Sequence, residues 1–250
     1  MFSSSDFVSH FEELRKRILI SLSLVILISI GCFFFAGKLL DFIIWPLTRA
    51  GAANQLFFHA PQEAFIIHVK AALFFGILIS SPVIFFHGWR FAAPGLYENE
   101  KKVFGWAFPL SALLFLCGAA FSFFLILPWS LEFLLNFRSA RLAPLLEAGP
   151  YFSFLVTMIF GFGLVFDFPV LMVGLVKLGL IKAQTLCSLR RPMIVLIFIL
   201  AAVLTPSPDP VSQLLLAIPL LLLFEIAVWV AHRVEIPPQT PPEASHVTAK

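Results

Sequence analysis

The stretch FGLVFDFPVLMVG, Phe162–Gly174, holds a single ionisable residue, Asp167, among apolar neighbours. It sits inside a longer apolar run, Tyr151–Val176, and the reading of that run decides the fold. At 1.5 Å per helical residue, Asp167 stands about 24 Å from Tyr151 and about 14 Å from Val176. A helix of that length crosses the roughly 30 Å hydrocarbon core of a bilayer. A charged group at the centre of such a helix costs roughly 2.5 kcal/mol or more, so residues of this kind face a cavity, a partner or the interior of a bundle. Pro169, two residues further on, frees a backbone carbonyl and predicts a kink beside the carboxylate.

The same apolar pattern recurs along the chain. Of its 250 residues, 60% are hydrophobic and 12% charged, which excludes a soluble domain of this size. Six segments emerge: Ile18–Phe35, Phe65–Phe86, Val103–Leu127, Tyr151–Val176, Met193–Leu204 and Val211–Ala231. The fifth, pinned between Pro192 and Thr205, is roughly 18 Å long as a helix, short for a span. The sixth is interrupted by Pro219, and TPSPDP between the two is a proline-built turn. The expected fold is therefore all-α, a polytopic membrane protein of six transmembrane helices. The first segment is read as retained rather than cleaved, because it exceeds a usual signal-peptide core and CFFFAGK is a poor cleavage site.

With the N-terminus in the cytoplasm, the inner flanks hold Arg15, Lys16, Arg17, Arg90, the Lys101–Lys102 pair, and most of the remaining basic residues. The outer flanks hold only Lys38, Arg49, Arg138 and Arg141, so the positive-inside rule places both termini in the cytoplasm. The even number of crossings agrees. Residues 1–235 form one six-helix domain, and the proline-rich, polar tail 236–250 is expected to be disordered.

No phosphate-binding loop, zinc-protease helix or nucleophile elbow occurs, so no enzyme, metal or cofactor is expected, and no nucleic-acid partner. Cys32, Cys117 and Cys187 are scattered, and two of them lie in apolar runs, which points to core packing rather than disulfides.

The remaining polar residues cluster in two inner segments. HFEELRKR, His10–Arg17, makes i,i+4 pairs Glu12–Lys16 and Glu13–Arg17 as a helix, with the acid on the favourable N-terminal side. A solvated juxtamembrane helix explains the basic end, but topology does not need the two acids. WRFAAPGLYENEKK, Trp89–Lys102, turns at Pro94-Gly95 and projects Glu98 and Glu100. Acids brought together from the two segments would suit a guanidinium-rich ligand, because the arginine fork matches carboxylates in bidentate fashion.

HFEELRKR, SSPVIFFHGWRFAAPGLYENEKK, FGLVFDFPV and LTPSPDPVSQLLLAIPLLLLFEI, in this order and spacing, resemble TatC, the six-span receptor component of the twin-arginine protein translocase. The resemblance covers the chain up to about Arg233. It implies a concave, glove-like fold in the cytoplasmic (inner) membrane, signal-peptide recognition by Glu13 and Glu100, and Phe91 and Pro94 shaping the loop between them. It implies a polar residue inside the fourth span, commonly glutamate in the family and here the shorter Asp167, and family positions at Pro46 and Asp209 in outer loops. Implied partners are TatA- and TatB-like single-span proteins, the signal peptides of folded passengers and further copies of the chain, with energy from the proton-motive force. Glu225 is a second embedded acid, for which a structural role near Arg233 is equally open. The rival reading is a proton-coupled secondary transporter or channel using Asp167 and Lys70 as relay groups, but the two halves carry no convincing internal repeat.

Overall fold

The computed structural model describes residues 4–51, 56–92, 98–136, 145–204 and 210–234. They form helices joined by short connections: α1 (Ser4–Phe34), α2 (Ala36–Arg49), α3 (Pro61–Ala92), α4 (Glu98–Phe121), α5 (Leu127–Asn136), α6 (Ala148–Phe166), α7 (Phe168–Lys177), α8 (Ala183–Ser188), α9 (Arg190–Leu204) and α10 (Pro210–Val234). Among the described residues, extended pairing is limited to one isolated bridge between Phe57 and Glu147. A π-helical turn, Ser122–Ile126, joins α4 to α5, and a break at Asp167 separates α6 from α7. Five apolar helical stretches are long enough to cross a membrane: His10–Phe34, Pro61–Phe91, Gly105–Asn136, Ala148–Lys177 and Gln213–Val234.

The first, second, third, fourth and sixth expected segments thus appear as helices, extended at their ends. The fifth differs in its start. The helix begins at Arg190 rather than after Pro192, because a proline in the first turn removes an N–H that has no intrahelical partner there. It remains short, with 15 residues or about 22 Å. Pro219 does not end α10, which runs through it. Pro82 and Pro109 are likewise carried inside α3 and α4.

The segment holding Pro46, expected as a loop, is a second correction, since it is helical. In α2, Ala36, Ile43, Pro46 and Leu47 are buried on one side while Lys38, Asp41 and Arg49 are exposed on the other. The helix is therefore amphipathic. Two long-range contacts pin it. The Tyr151 hydroxyl donates to the Ile43 carbonyl at 2.7 Å, and Phe42 stacks on Phe123 of the π turn with centroids 4.4 Å apart.

Helices α1 and α3 pack antiparallel. His10 meets Phe91 at one end and Phe33 meets Phe65 at the other, with Ser29 against Gly76 between them. A β-carbon at Gly76 would fall inside the Ser29 hydroxyl, so the missing side chain sets the helix separation. The α4–α6 pair is as close. A β-carbon at Gly118 would lie 2.7 Å from the Phe162 carbonyl oxygen, and one at Gly163 would lie 2.7 Å from the Phe115 ring. The core is completed by α10, whose buried Leu216, Leu220, Phe224, Ala227 and Ala231 recur at helical spacing. Cys187 and Cys32 are half-buried, but Cys117 is exposed on the surface of α4. Core packing therefore does not account for that thiol.

Candidate functional site

The joined ends of α1 and α3 form the first polar site. Both helices exceed 30 residues, so each is well over 40 Å long and outruns the hydrocarbon core. Glu13 lies about 31 Å along α1 from Phe34, at the level where hydrocarbon gives way to headgroups. Its carboxylate accepts from the Arg17 guanidinium one turn away, from Nε at 3.1 Å and from a second nitrogen. Across the gap, Phe91 stacks on His10 with centroids 4.4 Å apart and planes 21° from parallel.

From this end an apolar groove of about 370 Å³ runs between the helices, with Leu14, Ile18 and Leu22 on one wall and Ile84, His87 and Phe91 on the other. The His87 Nδ1 is buried there with no hydrogen-bond partner among the described residues. The sequence reading did not foresee the groove. Its α1 wall is legible as the i,i+4 run Leu14–Ile18–Leu22, but the facing wall depends on a register that no local pattern encodes. Glu100 lies in the first turn of α4, while Pro94 and Asp209 fall outside the described residues.

The second site is the break in the fourth span. Asp167 closes α6 and opens α7, and its carbonyl accepts from the Val170 and Leu171 amides at 3.0 and 3.2 Å. Pro169 lies in the first turn of α7, which explains why the chain restarts here instead of continuing one ladder. The Asp167 side chain is only 5% exposed, and neither oxygen has a hydrogen-bond partner among the described residues. Its sequence neighbours Phe166 and Phe168 contact Phe121 of α4 and Phe224 of α10. A buried carboxylate without a partner is a departure from the rule that interiors satisfy their polar groups.

Glu225 is placed differently from Asp167. It is exposed and accepts from Arg190 at 2.9 Å, tying α10 to the start of α9. Arg233 instead lies over the Trp229 ring, 4.7 Å from its centroid. Gln213 donates to the Phe198 carbonyl at 2.9 Å and fastens the other end of the same hairpin. On the α6 side of the molecule, His59 Nε2 and Glu147 are 3.0 Å apart, and the His59 amide donates to Glu63. Glu147 beside it raises the His59 pKa above its ordinary value, with Glu63 adding to the effect.

Fold and sites together define a polytopic helical membrane protein with a carboxylate buried in mid-span. The sequence model described as "Sec-independent protein translocase protein (TatC)" matches residues 9–219. The Sec-independent protein translocase protein TatC of Helicobacter pylori (strain J99) is 38% identical over 234 residues, 94% of this chain and 92% of its own. That of Aquifex aeolicus is 37% identical over 225 residues, 88% of this chain and 92% of its own. A crystal structure of the twin arginine translocase receptor TatC superposes with a TM-score of 0.77 at 36% identity, covering 90% of this chain and 99% of that one. The chain belongs to the TatC family of Sec-independent protein translocase components. That membership makes it part of a protein transport machine rather than an enzyme, and it leaves the small-solute transporter reading without support.

Proposed function

We propose that this chain is the core receptor subunit through which folded proteins bearing twin-arginine signals leave the cytoplasm. The observation that carries the reading is Glu13 at the joined ends of α1 and α3, beside an apolar groove of about 370 Å³. A signal of this class pairs guanidinium groups with an apolar stretch, and the site offers a carboxylate for the first and a groove for the second. Glu100 supplies the second carboxylate, and Phe91 and Pro94 shape the connection between α3 and α4. Asp167 gives the interior a polar point against which the inserted peptide or a partner helix is satisfied. Pro46 and Asp209 act in the outer segments, and Glu225 in holding the last hairpin.

The chain sits in the cytoplasmic (inner) membrane with both termini inside; residues 236–250, expected from the sequence to be a disordered polar tail, lie outside the described residues. TatA- and TatB-like single-span helices are its partners, together with further copies of itself, and the proton-motive force drives the passage. In cells lacking this chain, a reporter carrying a twin-arginine signal should remain cytoplasmic. Restoring the chain should restore export of that reporter but not of one whose arginines are lysines. Equal export of both would refute the receptor reading.

A further inference from the structure

We propose that the cleft between α4, α7 and α10 is a binding site for an anionic phospholipid, one acyl chain in the cleft and the phosphate at Lys177 and Arg233. The cleft encloses about 290 Å³ and is lined by Leu110 and Leu114 of α4, Val170 and Val173 of α7, and Ile226 and Val230 of α10. The arrangement is graded along its length. On α7, Val170, Val173 and Lys177 follow one another on one face, so the apolar wall ends in a cation about 10 Å from its start. On α10, Ile226 and Val230 line the cleft, and Arg233, one turn beyond Val230 and outside the lining itself, stands past the same mouth. On α4, which runs the opposite way, the exposed Trp106 precedes Leu110 and Leu114, which puts the indole at the same end as the two cations. Three helices thus present apolar walls deep in the membrane and interfacial groups at one mouth, the profile of a lipid.

Charge favours an anionic headgroup. Lys177 has no ion pair among the described residues. Arg233 rests on the Trp229 ring, which leaves its N–H edge for an acceptor, and Glu225, two turns earlier on α10, is already held by Arg190. Size disfavours a helix as occupant. A helix about 10 Å across displaces roughly 800 Å³ over 10 Å of length, so it would only lie over the cleft. An extended hydrocarbon chain enters it.

The test is native mass spectrometry of the delipidated full-length chain titrated with phosphatidylglycerol or phosphatidylcholine. Preferential retention of phosphatidylglycerol, at least about fivefold, is expected. A Lys177→Gln, Arg233→Gln double variant should lose that preference while still binding both lipids. Leu110→Trp, at an exposed position that tolerates bulk, should fill the cleft and lower retention of both. Equal retention of the two lipids by the unaltered chain overturns the proposal, as does an undiminished preference in the double variant. So does a photo-crosslinker at Leu110 that captures a partner helix instead of lipid in native membranes.

Discussion

Glu13 already holds a guanidinium, since Arg17 occupies it from a turn away. On the proposed receptor reading, binding of a signal arginine there is an exchange of partners, with Glu100 as the second acid and the groove supplying apolar contacts. Glu13→Ala should weaken a twin-arginine peptide by about tenfold or more, as expected for a charge-assisted hydrogen bond. Asp should be intermediate in its place, because charge survives and reach does not. Peptide cross-linking in detergent reads both, and undiminished cross-linking in Glu13→Ala would remove the residue from the site. Asp167 allows a sharper separation, because an orphaned buried polar group costs about 1–3 kcal/mol. Asp167→Leu should therefore melt higher than the unaltered chain yet export poorly, whereas Asp167→Asn, which keeps the polarity, should export nearly normally. Loss of export with Asn would mean that a proton moves there. Higher stability and normal export with Leu would make the carboxylate dispensable. His59 carries the pH dependence. Its pKa is raised in the folded chain by Glu147, so the pair stabilises fully below the ordinary histidine value near 6.5 and fades as pH rises through the elevated one. The melting difference between the unaltered chain and His59→Gln should be largest in mild acid and vanish in alkali.

At the scale of elements, the glycines in contact decide the packing. Gly118→Ala would push a methyl into the Phe162 carbonyl, a backbone atom that cannot turn aside, and should cost about 1–3 kcal/mol of stability. Gly31→Ala on α1, which meets nothing within 4 Å, is the control and should be neutral or slightly stabilising. Thermal melts in one detergent compare them directly. These contacts also mark where the sequence stops being legible. The long helices could be read because their apolar runs exceed a bilayer, and Glu13 and Asp167 stood out against their surroundings. The helical state of α2 was hidden by Pro46, a residue that disfavours helix interiors and is nevertheless carried, buried, inside α2. Glu225 offered the same difficulty. Arg233 is the cation nearest in the chain, yet its partner is Arg190, 35 residues away, brought there only by the packing of α9 against α10. Pairings of that range have no local signature. The π turn at Ser122–Ile126 leaves none either, because one extra residue per turn does not change an apolar composition.

At the scale of the whole molecule, orientation is the first thing to measure. Alkaline-phosphatase fusions after Gln55, Glu147 and Asp209 should be active and those after Tyr97, Gln184 and Thr240 inactive. Activity at Thr240 would make the number of crossings odd, and α9 the first suspect. That helix has a wider consequence. At about 22 Å it is some 8 Å shorter than a typical hydrocarbon core, and Arg190 and Arg191 hold its start at an interface. If α9 crosses the bilayer, lipid around it compresses, at a fraction of a kcal/mol for each ångström. Two copies that place their α9 edges together share one compressed collar instead of maintaining two. In that case the bilayer itself would draw the copies together with no protein contact of its own to drive it, and lengthening the acyl chains of a reconstituted membrane should raise the fraction of paired copies.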